Sequence, residues 1–229
     1  SRLSDEESGD GGAITISSTS GNITTQNLNS ASAALPAPTS DASGESGNGG
    51  NISVMTREGR IAGGEAALIF SGSFSSSGET TGSSGSVVLS SDEISNLSVI
   101  TLASGGRSGN VDIRSLDNGL TVSDLSVITT AQVDIPNPRF PDQTISLDLR
   151  NIGQSGNTSL RSPRDIVLNN VNIQGDANGS QAAGNITITS PEQVTFNNSQ
   201  ISSNTLSSGA AGNIVIEAAR LNLGEGDRL

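Results

Sequence analysis

Apolar and polar residues alternate in a short cassette, Gly-Asn-apolar-polar-apolar, that recurs along the chain. Three copies are strict, at residues 109–113, 184–188 and 212–216, and looser copies begin at Gly12, Gly50, Gly85 and Gly156. The leading glycines are 38, 35, 24, 47, 28 and 28 residues apart. Apolar residues two positions apart are typical of a strand with one buried face. Self-similarity with a period of tens of residues predicts a solenoid in which each repeat packs on its neighbours.

Two further short apolar pairs follow the cassettes, and they also recur. Ile166 is matched by Val194 at a distance of 28 residues, and residues 97–101 (Leu-Ser-Val-Ile-Thr) return at 125–129. No segment shows a sustained helical period. The pattern predicts an all-β protein, a right-handed parallel β-helix of about seven coils with three short strands per coil. Right-handedness follows from the general preference of parallel crossover connections.

The apolar residues of the cassettes are expected to stack from coil to coil as the core of this solenoid. Each buried aliphatic side chain contributes roughly 1.5–3 kcal/mol, so these ladders should provide most of the stability. The predicted core ladder consists of Ile14, Ile16, Ile52, Val54, Val87, Leu89, Val111, Ile113, Ile186, Ile188, Ile214 and Ile216.

An Asn follows the leading Gly in five cassettes, and we interpret it as a structural ladder. The Gly is expected to take a backbone conformation that is unfavourable for other residues. The stacked Asn amides are expected to form hydrogen bonds from coil to coil. A ligand or ion site is the alternative interpretation. The predicted Asn ladder consists of Asn51, Asn110, Asn157, Asn185 and Asn213.

The array is expected to form one domain over residues 1–229, with insertions in its two longest intervals. Residues 31–49 contain Leu-Pro-Ala-Pro and a Ser/Gly/Glu stretch, which favour a projecting loop. Residues 134–143 contain three prolines, which cannot donate to a central ladder. The alternating run that follows, 145–149, favours an extra partial coil over an extra hairpin.

Composition removes most catalytic chemistry. The chain has no Cys, His, Trp, Tyr or Lys, so it offers no thiolate, imidazole, Schiff base or zinc site. Its net charge of −12 is unfavourable for nucleic acid. No apolar run approaches the ~20 residues of a membrane span. We expect no enzyme activity, no cofactor, no nucleic-acid partner and no membrane span.

Three phrases resemble the passenger region of filamentous-haemagglutinin-like two-partner-secretion exoproteins, the cyanobacterial ones in particular. They are Gly-Asn-Ile-Thr-Ile at 184–188, Ser-Gln-Ile-Ser at 199–202 and the small-residue spacer at 207–212. The resemblance implies a right-handed β-helix, an outer-membrane partner transporter, and an adhesin or matrix role at the surface of a Gram-negative-type bacterium. The Asn-Pro-Asn-Gly-Ile segment of the family's secretion domain is absent, so the resemblance is to the passenger shaft.

The leading functional hypothesis is therefore a structural or adhesive extracellular shaft, with a host-cell or surface glycan as a candidate ligand. Residues 1–4 and Leu229 fall at the same phase of the coil, which favours an internal stretch of a longer array or a unit that stacks end to end into fibres.

Two alternatives use the acidic residues. A polysaccharide lyase or hydrolase would need paired carboxylates, and the candidates are Asp112, Asp134, Asp148 and Asp165, with Arg114 and Arg150 as substrate clamps. A calcium-binding surface module would use oxygen ligands, and the candidates are Asp5, Glu6, Glu7 and Asp10, with Asp92 and Glu93 as a second group.

Overall fold

The computed structural model is built from strands. It describes residues 9–34, 46–65, 67–75, 82–129, 134–137, 140–146, 154–177, 180–205 and 208–229. These residues contain no helix. The strands are β1 (Ile14–Ser20), β2 (Ile23–Thr25), β3 (Leu28–Ala34), β4 (Ile52–Glu58), β5 (Arg60–Gly63), β6 (Leu68–Ser75), β7 (Val87–Ser90), β8 (Glu93–Ala103), β9 (Val111–Arg114), β10 (Leu120–Ile128), β11 (Asp134–Asn137), β12 (Phe140–Ser146), β13 (Thr158–Arg161), β14 (Ile166–Asn169), β15 (Asn172–Gln174), β16 (Ile186–Thr189), β17 (Gln193–Asn197), β18 (Gln200–Ser202), β19 (Ile214–Glu217) and β20 (Arg220–Leu223).

Two long parallel sheets contain all but two of these strands. The first sheet takes the cassette strand of every repeat in chain order: β1, β4, β7, β9, β13, β16 and β19. The second sheet is also ordered along the chain, through β2, β5, β8, β10, β14, β17 and β20, with β3, β6, β15 and β18 joined beside them. The chain therefore visits the first sheet and then the second sheet once in each repeat. The all-β class and the parallel pairing are confirmed.

The first sheet is in register at the cassettes. Ile52 pairs with Ile14 on one side and with Val87 on the other, and the same alignment continues to Ile214. Residues two apart point into a common core, as alternation requires. Eight predicted ladder residues are completely buried: Ile52, Val54, Val87, Leu89, Val111, Ile113, Ile186 and Ile188. The other four, Ile14, Ile16, Ile214 and Ile216, are partly buried in the first and last cassette strands and pack against that core.

The second sheet completes the core, and its pairing matches the recurring apolar pairs of the sequence. Ile166 pairs with Val194, and residues 97–100 pair with 125–128. β8 and β10 are long because each continues through both the second and the third apolar pair of its repeat. The second and third strands of a repeat thus share one sheet. Leu168, Phe196 and Ile173 are among its fully buried side chains.

The 47-residue interval contains a hairpin, and the expected extra partial coil is wrong. β11 and β12 pair with each other in antiparallel orientation, with a register shift after Pro136. The strands on either side of this interval pair directly, because Val111 lies opposite Thr158 and Leu120 lies opposite Ile166. No partial coil therefore intervenes between these two repeats, and the insertion forms a separate two-stranded sheet.

The other predicted insertion lies mostly outside the described residues. The expected loop covers 31–49, but residues 31–34 belong to β3, so this part of the expectation is wrong. Residues 35–45 lie outside the described residues, and the loop there stays a prediction. The described residues include no helix that is long enough and apolar enough to cross a membrane.

One position interrupts the aliphatic ladder of the first sheet. Thr158 pairs with Val111 and Ile186, is buried, and has no hydrogen-bond partner for its hydroxyl group. Thr101 is equally buried, but its hydroxyl donates to the carbonyl of Gly109 at 2.7 Å. An unsatisfied buried hydroxyl is costly, whereas a bonded one is favourable.

Replacing each threonine with Val should therefore have opposite effects. Thr158→Val should raise the free energy of unfolding by about 1–3 kcal/mol, because it removes an unpaired buried hydroxyl. Thr101→Val should lower it by about 0.5–1.5 kcal/mol, because it removes a hydrogen bond. Urea unfolding followed by circular dichroism measures both. If Thr158→Val lowered the free energy of unfolding, the interpretation that the Thr158 hydroxyl lacks a hydrogen-bond partner would be wrong.

Candidate functional site

The leading glycines form a close-packed stack at the entrance to the first sheet, which we call the Gly-Asn corner. A Cβ atom at Gly184 would overlap the carbonyl oxygen of Gly156, and one at Gly156 would overlap that of Gly109. The same overlap with the preceding leading glycine occurs at Gly50, Gly85, Gly109 and Gly212. The lack of a side chain is thus required by the proximity of two repeats.

The physical reason for these glycines differs from the expected one. The glycines with a left-handed backbone conformation in the described residues are Gly21, Gly59, Gly105 and Gly226, and none of them leads a cassette. A special φ value therefore does not explain the leading glycines. Steric exclusion by the carbonyl of the preceding repeat does.

In four cassettes the Asn after the leading glycine bonds to the following repeat. The Oδ1 atom of Asn157 accepts a hydrogen bond from the backbone N–H of Asn185 at 2.9 Å, and Asn185 accepts from Asn213 in the same way at 2.9 Å. Asn110 accepts from the N–H of Asn157, and Asn51 from that of Ser86. The bond differs from the expected amide-to-amide stacking, because the donor is the backbone of the next repeat.

Buried hydroxyl groups line the inner side of the Gly-Asn corner. Ser71 donates to the carbonyl of Gly50 at 2.9 Å, and Ser203 donates to that of Gly184. Ser71 belongs to β6, and Ser203 follows β18 directly. The corner is therefore bonded to the third strand segment of its own repeat as well as to the neighbouring repeats.

A second ladder, which the sequence reasoning missed, lies at the bend between the second and third apolar pairs. Its members all have positive φ values of 52–55°: Asn96, Asp124, Asn170 and Asn198. Asn and Asp tolerate this left-handed conformation better than other residues with a side chain. The Nδ2 group of Asn198 donates to Oδ1 of Asn170 at 2.8 Å, and Asn170 donates to Asp124 at 3.1 Å. We call this the Asx corner.

The signal for the Asx corner is present in the sequence. Each member follows one polar residue after a buried apolar one, as in Leu168-Asn169-Asn170 and Phe196-Asn197-Asn198. Asn170 and Asn198 are 28 residues apart, which is also the spacing of the recurring apolar residues such as Ile166 and Val194. A search for Asn or Asp at fixed phase, beyond the cassette, would have found it.

The carboxylates considered for catalysis do not converge in the described residues. Asp112 lies on the first sheet, where it pairs with Arg114 at 3.3 Å and accepts from Ser159 at 2.6 Å. Asp165 precedes β14 of the second sheet and is exposed. The backbone of Asp134 belongs to the hairpin, whereas Asp148 and Arg150 lie outside the described residues.

The carboxylates considered for calcium already bind protein groups where they are described. Asp10 accepts from the N–H of Asn48 at 2.6 Å, and Asp92 accepts from Ser115 at 2.5 Å and Asn118 at 2.6 Å. Asp5, Glu6 and Glu7 lie outside the described residues. Elsewhere in the described chain, no three carboxylates are grouped in a way that could hold a metal ion.

Two shallow concavities occur on the described surface. One of about 240 Å³ follows the Asx corner past Asn96, Asp124 and Asn170. A larger one of about 510 Å³ opens beside the last repeat and is lined by Ile201, Ile214 and Leu229 among others. The larger one adjoins exposed aliphatic side chains.

No protein-family model, curated protein or solved structure matches this chain.

The close packing of the glycines can be tested with a matched pair. Gly184→Ala should lower the free energy of unfolding by about 1–3 kcal/mol, because the new methyl group overlaps the carbonyl of Gly156. Gly12→Ala, in the first repeat, should change it by less than about 0.5 kcal/mol, because no atom lies within 4 Å of the added carbon. Urea unfolding compares the two. Equal losses would show that the glycines serve something other than repeat packing.

The Asn bond can be tested in the same way. Asn185→Ala should cost about 0.5–1.5 kcal/mol, because the N–H of Asn213 loses its acceptor. Asn213→Ala should cost less than about 0.5 kcal/mol, because its side chain accepts no bond from a following repeat in the described structure. Thermal unfolding at matched concentration provides the comparison. A larger loss for Asn213→Ala than for Asn185→Ala would contradict the assignment.

Proposed function

We propose that this chain is the rigid shaft of an extracellular structural or adhesive protein, folded as a right-handed parallel β-helix of about seven coils with three short strands each. The alternation of the chain between two parallel sheets supports a continuous coil, because each circuit adds one strand to the first sheet and the second and third strand segments of the repeat to the second sheet. Stacked coils are spaced by about 4.8 Å, so seven would form a rod about 34 Å long.

The observation that carries the proposal is the continuity of the ladders. Aliphatic residues remain in register through every strand of the first sheet, from Ile16 to Ile216. A core that extends along one axis resists bending because each repeat is fixed to both neighbours by backbone bonds and packing. Such an object suits a spacer that holds a binding surface away from a cell.

The use of the polar side chains favours a shaft over the enzyme and calcium alternatives. Asp112 and Asp92 bond to neighbouring side chains, and the Asn residues of both corners bond along the array. A catalytic or metal site needs polar groups that converge on a space for a ligand. In the described residues these groups instead join one repeat to the next.

The secretion route and partners belong to the same proposal. The resemblance to filamentous-haemagglutinin-like passengers supports export through an outer-membrane partner transporter and display on a Gram-negative-type surface. The lack of Cys and the net charge of −12 suit a chain that crosses a membrane unfolded and stays soluble outside. The insertions around residues 35–49 and 136–141 are the proposed contact surfaces for a cell-surface glycan.

Surface display can be tested on intact cells of the source organism. Antibodies raised against the purified chain should label intact cells by immunogold electron microscopy, with gold particles beyond the outer membrane. A matched sample of permeabilised cells should show little additional label, because little of the protein remains inside. An antibody against a cytoplasmic protein, which should label only permeabilised cells, controls for cell integrity.

Label restricted to permeabilised cells would contradict the proposal. The enzyme alternative predicts a different result: release of reducing ends or unsaturated sugars from acidic polysaccharides by the purified chain. The shaft proposal predicts no release above that of the heat-denatured chain.

A further inference from the structure

The hydrogen-bond ladder of the Asx corner is interrupted at one step. The Asn amide groups of this corner donate towards the preceding repeat, from Asn198 to Asn170 and from Asn170 to the carboxylate of Asp124. Asn96 also donates backwards, to two backbone carbonyls of the preceding repeat at 3.0 and 3.1 Å. Its Oδ1 atom is therefore directed towards the following repeat, where the next corner residue is Asp124.

The step between Asn96 and Asp124 has no hydrogen-bond donor. An ionised carboxylate accepts hydrogen bonds and donates none. Asp124 therefore cannot bond to the amide oxygen of Asn96 in the way that Asn198 bonds to that of Asn170. The two acceptor groups belong to adjacent strands, whose backbones are about 4.8 Å apart, and both residues are exposed. This step is open to a donor from outside the chain.

The interrupted step lies in the concavity of about 240 Å³ along this corner, which we call the Asx groove. Its buried apolar floor consists of Ala67, Leu97 and Leu125. Ser98, Ser126 and Asn172 also line the groove and are register partners on β8, β10 and β15. Their half-buried side chains make no hydrogen bond to another described residue. The groove thus combines two acceptors with three groups that donate as well as accept.

The charge of the Asx groove limits the kind of ligand that it can bind. Asp124 is the one charged side chain among the described residues that line it, and the chain has a net charge of −12. An anionic ligand would be repelled. Calcium takes about six to eight oxygen ligands, commonly including carboxylates, whereas no three acidic side chains of the described chain are grouped to hold a metal ion. A neutral ligand with hydrogen-bond donors fits these conditions.

The pair of acceptors favours a sugar over a peptide. Neighbouring hydroxyl groups of a pyranose ring can donate to Asn96 and Asp124 together, and their oxygens can accept from the Ser and Asn groups of the groove. A peptide N–H group supplies a single donor, and the buried floor leaves no deep apolar pocket for a peptide side chain. The groove is also smaller than the roughly 300–1,000 Å³ of pockets that enclose a drug-sized ligand, which suits surface contact with a sugar ring.

We propose that the Asx groove binds a neutral pyranose unit of a glycan at the step between Asn96 and Asp124. This inference deepens the proposed function, because it rests on an adhesive shaft and adds a glycan contact on the shaft itself, apart from the insertions. Within the Asx corner, Asp124 alone is a carboxylate, so the step without a donor occurs at this one place.

Titration of the isotope-labelled chain with sugars, followed by NMR, tests the site. Methyl α-mannopyranoside, methyl β-galactopyranoside and methyl β-glucopyranoside are the neutral probes, and galacturonate is the acidic one. At least one neutral probe should shift the side-chain amide resonances of Asn96 and Asn172 in a saturable way. Galacturonate should not, because its carboxylate would approach Asp124.

Asp124→Asn separates the sugar site from a purely structural ladder. The new amide group can donate to Asn96, so this variant closes the ladder and removes the acceptor pair. Its affinity for the neutral probe should fall at least about tenfold, while its melting temperature should rise by about 2–4 °C through the added hydrogen bond. Asp165→Asn is the matched control, because Asp165 is exposed, lies outside the groove and loses the same charge. It should change the affinity by less than about twofold.

Three results would overturn the sugar site. They are the lack of a saturable shift with any of the three neutral probes, equal affinities of Asp124→Asn and Asp165→Asn, and no rise in the melting temperature of Asp124→Asn above that of Asp165→Asn. Shifts with calcium chloride and with none of the sugars would assign the groove to a cation and overturn the proposal as well.

Immunogold labelling distinguishes this failure from that of the proposed function. Label at the surface of intact cells together with a failed titration overturns the Asx groove and leaves the shaft in place. Label confined to permeabilised cells overturns the proposed extracellular shaft, whatever the titration shows.

Discussion

The close approach of one repeat to the next is the constraint on which the rest of the structure depends. Parallel strands of successive repeats bond through their backbones, and at the Gly-Asn corner the distance between them leaves no space for a Cβ atom. This proximity fixes the register of the whole repeat, because the cassette begins immediately after the stacked glycine. A slip of one residue would turn the aliphatic side chains outward and the Ser and Thr side chains into the core.

The two polar ladders solve the problem that this stacking creates. At a bend the regular strand pairing is interrupted, as at Asn96 and Asp124 within the register of β8 and β10. A backbone group left without a partner there would be costly. At the Gly-Asn corner the Asn side chains accept from the backbone of the next repeat. At the Asx corner the Asn198 amide donates to Asn170, which in turn donates to the carboxylate of Asp124. Small polar residues therefore hold successive repeats together at the bends, as the aliphatic residues do in the core. This division explains how a chain with few aromatic residues, and with 54 Leu, Ile, Val and Phe residues among 229, can sustain an ordered core.

The sequence predicts the repeat and its core because both depend on local alternation. Ile52 and Val54 follow from the period of two, and the pairing of Ile166 with Val194 follows from the echo at 28 residues. The hairpin of β11 and β12 could not be separated from an extra coil, since both produce an alternating run. The reason for the leading glycines was also missed, because steric overlap with Gly156 or Gly184 depends on a repeat distant in sequence. The Asx corner depends on backbone conformation at Asn96 and Asn198, which apolar periodicity does not report.

A distance along the coil axis in solution tests the account most directly. Thr15 and Thr187 occupy one outward-facing ladder, separated by five register steps through Ser53, Val88, Asp112 and Ser159. At about 4.8 Å per step, their Cα atoms should lie about 24 Å apart. Spin labels on cysteines at these two positions should give a single narrow distribution near that distance by pulsed electron resonance, after allowance for the label arms. A broad distribution, or one centred well beyond it, would contradict the in-register stacking of successive repeats.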